Sequence, residues 1–194
     1  MNKERPNDTA MIGNLSAKDI LLEFYEEDSK LFRLLWTHSC QVAEMALEIA
    51  SKFPKQADAE FVYDAALLHD IGIIRTNAPS IHCTGTEPYI RHGIIGAEML
   101  RNFDPSLERY ALVCERHTGA GISKEEILSE SLPLPPRDFL PVSFEEKIIC
   151  YADKFFSKST TGTVKTVDSI RRDLAKFGHG QEERFNELNQ LFNS

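Results

Sequence analysis

The sequence predicts one all-α domain, a compact multi-helix bundle. Apolar residues recur at helical spacing through most of the 194 residues. N-cap residues and Gly or Pro stops punctuate these stretches, and no stretch alternates as a half-buried strand does. With 42% hydrophobic and 27% charged residues, the chain can bury a continuous core and is not composed like a disordered one. Residues 1–14 read as a flexible leader and 15–194 as the helical domain.

Ser16 is an N-cap for a first helix through about Asp28, with Ile20, Leu21, Phe24 and Tyr25 on one side. A longer helix is predicted from Lys30 to Phe53, striped by Leu31, Leu34, Leu35, Val42, Met45, Ala46 and Ile49 and stopped by Pro54. A third runs from about Ala57 to Asp70 and closes at Gly72, read as a left-handed cap. Residues 72–88, with Pro79, Gly85 and Pro88, form a loop. Helices over Tyr89–Phe103 and from Pro105 to His117 follow, the second broken by Gly119 and Gly121. Ser123 with Glu126 and Ser143 with Glu146 spell capping boxes. Between these boxes, the prolines of segment 131–142 forbid a helix. The Ser143 helix is expected to reach Lys158. After the Ser/Thr/Gly-rich stretch 157–166, one or two helices finish the chain, broken around Gly178–Gly180.

The formal net charge is −8, with no basic block along the chain. That disfavours a nucleic-acid polymer as partner, because phosphate neutralisation needs a surplus of Lys and Arg. No apolar run approaches the roughly 18 residues of a membrane span. The N-terminus MNKERPNDTA lacks the apolar centre of a secretory signal. Cys40, Cys83, Cys114 and Cys150 form no CxxC pair and read as small buried hydrophobes. A reduced, cytoplasmic protein is expected, with a homo-oligomer left open.

Six His are present, and their positions are more telling than their number. His38 lies within the stripe of Leu34, Leu35, Val42 and Met45. His69 shares a face with Val62, Ala65 and Ala66, and His92 with Ile95, Gly96 and Met99. His117 follows Tyr110, Val113 and Cys114 at helical spacing, and Asp153 lies between Ile149 and Phe156. Asp70 abuts His69. One inward His is ordinarily a satisfied core residue. Four His and two Asp from five helices, all inward, are costly unless they share a partner. A metal supplies it, and imidazole with carboxylate suits Zn, Mn or Fe. Trp36 reads as core, His82 as a surface residue of the loop, and His179 as structural or exposed.

The order His38, His69-Asp70-Ile71-Gly72, His92, His117, Asp153 resembles the extended H…HD…H…H…D motif of the HD superfamily of metal-dependent phosphohydrolases. The strings RHGIIGAE, ERHTGAG and EKIICYADKFF are similar to HDIG-type members. The resemblance implies an HD-type helical hydrolase domain over 15–194 with His69 and Asp70 at its catalytic centre. It implies one metal held by His38, His69, Asp70 and Asp153, and a second shared by Asp70 with His92 and His117. The cofactor is then a divalent metal, two ions of Fe, Mn, Zn, Ni or Mg. Paired ions can lower the pKa of a shared water and offset phosphoryl charge. They also make a pocket locally positive inside an acidic protein.

Three family signatures are absent. Ile73 stands where many HDIG proteins carry Lys. Thr118 to Gly121 replace the GYP sequence of cyclic-dinucleotide phosphodiesterases. Ile73 and Ile74 occupy the region of the acidic pair found in alarmone hydrolases. Candidate phosphate partners are Lys154, Arg75, Arg91 and Arg116, with Lys154 favoured because it follows Asp153. Loop 72–88 and segment 131–142 are expected to wall the pocket. The leading expectation is hydrolysis of a phosphate ester or anhydride in a small nucleotide-like substrate, a dinucleoside polyphosphate being one instance. A di-iron oxygenase on the same scaffold and a non-catalytic, metal-stapled sensor remain open alternatives.

Overall fold

The computed structural model describes residues 15–158 and 163–193; the expected leader lies outside them. Among the described residues the chain is all-α apart from one two-stranded β-ribbon. Helix α1 (Ala17–Leu22) opens with a full capping box between Ser16 and Asp19. It stops short of Asp28 because Tyr25 turns inward. Its buried hydroxyl donates to Ile71 O at 2.7 Å and accepts from Ile74 N at 3.2 Å.

Helix α2 (Lys30–Ser51) is capped by Ser29, whose hydroxyl accepts from Phe32 N at 3.0 Å. It buries Phe32, Leu35, His38, Val42, Ala46 and Ile49, while Leu31, Leu34 and Met45 sit at the margin of that face. Trp36 is half-buried and stacks on Phe32. Helix α3 (Ala59–Leu68) starts at Asp58 and ends before the expected Asp70. A 3-10 turn over Ile71–Arg75 follows.

Gly72 is therefore no left-handed cap: its φ is not positive. Its reason is close approach, since a Cβ there would stand 2.1 Å from His92 O and 2.4 Å from Gly96 N. The following loop carries strands β1 (Asn77–Ala78) and β2 (Cys83–Thr84), paired antiparallel. Two residues each are too few to show alternation in sequence.

Helix α4 (His92–Phe103) is entered through a 3-10 turn at Tyr89–Arg91, and α5 (Glu108–Arg116) through another at Pro105–Leu107. Helix α6 (Lys124–Ser129) has the expected capping box. Helix α7 (Phe144–Asp153) has half of one. The Ser143 hydroxyl accepts from Glu146 N, but the Glu146 carboxylate accepts from Val142 N and pairs with Arg116. α7 also ends at Asp153 rather than Lys158.

Helices α8 (Val167–Ala175) and α9 (His179–Asn193) pack together across Gly178, whose φ of 112° makes the break. Segment 131–142 is non-helical, as its prolines require.

Helix α2 packs on both α3 and α7, α4 packs on α5, and α4 also rests on the 71–75 turn. Leu35, Leu67, Leu68, Ile71, Ile148 and Ile149 fill the shared core. Helix α9 clamps the loop after α5. Gln181 accepts from Ala120 N and donates to Gly121 O, and Arg184 donates to both carbonyls. Cys83, Cys114 and Cys150 are buried free thiols and Cys40 is half-buried. No described helix is long and apolar enough to cross a membrane.

Candidate metal centre

Each inward polar residue is delivered by a particular piece of local structure. His38 stands in the middle of α2, and Asp153 closes α7. His69 and His117 are the C-cap residues of α3 and α5, and His92 opens α4 at the end of a 3-10 turn. Each of these His turns its ring back on the carbonyl three residues earlier, and Tyr89 O takes the His92 backbone N–H as well. His69 Nδ1 donates to Ala66 O at 2.6 Å, His92 Nδ1 to Tyr89 O at 2.7 Å and His117 Nδ1 to Cys114 O at 2.8 Å. A carbonyl only accepts, so Nδ1 carries the proton and each Nε2 faces inward. His38, mid-helix, makes no such contact, and its Nδ1 is buried without a hydrogen bond.

The Nε2 atoms converge on Asp70, which is fully buried. Oδ2 of Asp70 lies 3.2 Å from His38 Nε2 and 3.0 Å from His69 Nε2. Oδ1 of Asp153 closes that side at 3.0 Å from His38 and 3.5 Å from His69. The other Asp70 oxygen, Oδ1, lies 3.4 Å from both His92 Nε2 and His117 Nε2. Those two ring nitrogens face each other at 3.0 Å. Two donor groups result: His38, His69, Asp70 and Asp153, and Asp70, His92 and His117.

This arrangement fits a divalent metal. His38 Nε2, His69 Nε2 and Asp70 Oδ1 are buried with no hydrogen bond among the described residues, a costly state that a cation relieves. Two imidazole lone pairs aimed at each other also call for a cation between or beside them.

The charges divide along the same line. Burial would raise the Asp70 carboxyl, but His69, the Lys158 ammonium and the other imidazoles outweigh it and hold it well below the carboxylate range. Burial acts the same way on Asp153, where Lys154 and Lys158 dominate and keep it ionised. Burial works against protonated His69, yet Asp70 and Asp153 push it up to about 9. On the opposite side burial and the neighbouring His117 lower His92 to about 3, and burial lowers His117. The His92–His117 side is thus a pair of neutral nitrogen donors.

All six residues expected as ligands come together. Of the four expected phosphate partners, Lys154 reaches the cluster and the three Arg do not. Lys154 Nζ contacts Asp153 Oδ2 at 2.7 Å and donates to His117 O at 3.2 Å, bracing the cluster from behind. Arg116 Nη1 holds both Glu146 oxygens at 3.0 Å. Arg91 pairs with Glu87 and donates to Pro133 O, and Arg75 is exposed.

Sequence reasoning missed Lys158, whose Nζ lies 2.6 Å from Asp70 Oδ2. Had α7 continued, Lys158 would point about 140° away from Asp153; ending the helix at Asp153 brings it back. Tyr89, stacked on the His92 ring at 4.8 Å, was also missed. His82 and His179 are both exposed, away from the cluster.

Two cavities meet at Tyr89. One, of about 650 Å³, is largely apolar, with Tyr89, Ile90, His92, Leu132 and Phe177 among its walls. The other, of about 330 Å³, is lined by Ser80, Tyr89, Lys158 and Lys165 among others. Loop 72–88 and segment 131–142 both contribute wall residues.

Comparison with known proteins agrees with this geometry. The sequence model of the HD domain matches residues 35–157, a span that contains all six cluster residues. An uncharacterized protein of Methanocaldococcus jannaschii is 38% identical over 164 residues, covering 81% of this chain and 86% of that protein. A tRNA (cytidine(56)-2'-O)-methyltransferase of Picrophilus torridus is 39% identical over 126 residues, 64% of this chain but 32% of the methyltransferase. The enzyme of the same name from Thermoplasma volcanium is 37% identical over 123 residues, again 32% of its length. No solved structure matches.

Proposed function

The chain belongs to the HD domain family of metal-dependent hydrolases, and from that premise we propose that it cleaves a phosphate ester or anhydride in a small nucleotide-like substrate. One observation carries the reading: Asp70 presents one oxygen to His38 and His69 and the other to His92 and His117. A single carboxylate between two donor groups is suited to a pair of divalent ions. Such ions, when bound, lower the pKa of water and offset charge on phosphoryl oxygens.

The protein's own residues set the geometry. Asp70 and Asp153 are the fixed negative charges of the cluster, and the four imidazoles are oriented by backbone carbonyls or, for His38, by its helix. The Lys154 ammonium keeps Asp153 in place. The apolar cavity running to His92 accepts the organic part of the substrate, and Tyr89 offers a ring to a planar group. The cavity lined by Lys158 and Lys165 accepts the anionic end.

The test is phosphate release by metal-stripped protein reloaded with Mn, Fe, Zn, Ni or Mg. The substrates are nucleoside mono-, di- and triphosphates, dinucleoside polyphosphates and aryl phosphates. At least one class is expected to turn over, with Asp70→Asn lowering the rate about 1,000-fold or more. Protein of verified metal content that cleaves none of them overturns the reading. A second reading rests on the two relatives named for 2'-O-methylation of a tRNA cytidine. In it, the same site acts on a phosphate ester in RNA. Adding tRNA and short RNA with terminal phosphates to the panel separates the two.

A further inference from the structure

Lys158 occupies an unusual position for a lysine. Its side chain is 13% exposed and its ammonium stands against Asp70 Oδ2, the oxygen that also faces His38 and His69. That oxygen is part of the four-residue donor group. A singly charged cation thus stands beside the carboxylate that a divalent ion needs. The two cannot sit there together without strong repulsion, because like charges a few ångströms apart in a buried site are poorly screened.

Lys154 gives the contrast. Its partner Asp153 uses Oδ1 toward His38 and His69 and Oδ2 toward Lys154, so metal and lysine are compatible there. Asp70 has no spare oxygen: Oδ2 serves one donor group and Oδ1 the other. An ion held by the four-residue group would leave Lys154 its own oxygen of Asp153 but would compete with Lys158 for Asp70 Oδ2. The released ammonium already lines the cavity it shares with Ser80, Tyr89 and Lys165. Lys165 is paired with Asp173 at 3.0 Å. A flexible stem carrying a compact point charge suits this change of place.

We propose that Lys158 is the displaceable counter-ion of the metal site and, once displaced, the residue that holds the substrate's phosphoryl group. The displacement follows from the cluster alone; the identity of the anion rests on the phosphohydrolase reading. The metal-free protein thereby keeps its buried carboxylate compensated, and the phosphate anchor is set free by the ion that makes phosphate binding useful.

The test uses the metal-stripped 194-residue wild-type chain, Lys158→Met, Lys158→Arg and, for comparison, Lys154→Met. Each is titrated with Mn²⁺ in a calorimeter at one pH, and the loaded forms are then titrated with inorganic phosphate. Lys158→Met is expected to bind Mn²⁺ about tenfold more tightly than wild type and phosphate about tenfold more weakly. Lys158→Arg, which keeps the charge, is expected to restore phosphate binding. Lys154→Met is expected to bind Mn²⁺ no more tightly than wild type. Unchanged or weaker Mn²⁺ binding by Lys158→Met overturns the counter-ion role, and unchanged phosphate binding overturns the anchor role. Lys158→Gln serves for the same comparison if the Met variant does not fold. If wild type shows this dependence on Lys158 yet cleaves no phosphate ester, the function proposed above fails while the counter-ion assignment stands.

Discussion

Asp64 on α3 is fully buried, and neither of its carboxylate oxygens has a hydrogen-bond partner among the described residues. Burial first, and Glu60 second, raise its pKa from 3.8 to about 7. The folded protein therefore keeps a proton that the unfolded chain gives up near 3.8. Between those values the native state binds more protons, so this residue makes stability fall as pH rises through the window. Asp64→Asn removes the charge with little change of shape. It is expected to stabilise the protein by a few kcal/mol, at most about 4, at pH 8 and by almost nothing below pH 4. Urea unfolding at the two pH values checks this; an equal effect at both would contradict it. The cluster residues were legible in sequence because a polar group on an apolar stripe is costly and needs an explanation, although the equally buried Asp64 was passed over. Lys158 carried no such mark, since its neighbours Ser157 and the Ser/Thr/Gly-rich stretch gave it no buried face to violate.

At the scale of elements, the join between the 71–75 turn and α4 sets the site. Gly72 lets the turn lie against the backbone of His92 and Gly96, and Tyr25 fastens the other side of the turn. Gly72→Ala would place a methyl carbon 2.1 Å from His92 O, so α4 must shift. The expected cost is about 1–3 kcal/mol or more, with weaker Mn²⁺ binding on the His92–His117 side. Denaturant unfolding together with metal titration reads both; full stability and affinity in the variant would contradict this packing account. Helix centres followed from apolar spacing, whereas several ends did not. α1, α3 and α7 each stop early because a tertiary partner claims the next residues: Tyr25 goes to Ile71, while Asp70 and Lys158 go to the cluster. The second capping box was half right for a similar reason, as Arg116 takes the Glu146 carboxylate.

For the whole molecule, the cluster ties together helices far apart in sequence, from α2 to the end of α7. A ligand of the folded state alone raises stability by mass action, about 2.7 kcal/mol when free metal is 100-fold above its Kd. For a chain of this size that corresponds to a Tm rise of roughly 5–10 °C. Thermal melts after chelation and after Mn²⁺ addition are expected to differ by that much, in a concentration-dependent way. Asp70→Asn is expected to lose most of the difference, and a melt indifferent to metal would contradict a metal-binding core. The total charge of −8 describes the outside of the molecule and says little about a buried site holding two carboxylates, four imidazoles and two ammonium groups.

Sequence by itself determined the all-α class, the helix centres and the six inward polar residues, because helical spacing makes a buried ionisable group visible from local pattern. Tertiary structure alone decided that Gly72 is a contact rather than a cap, and that Lys158 rather than Arg75, Arg91 or Arg116 reaches the cluster beside Lys154. Those facts depend on where separate helices end and meet, and a helix end is set by the long-range partner that outcompetes the next turn of backbone hydrogen bonds.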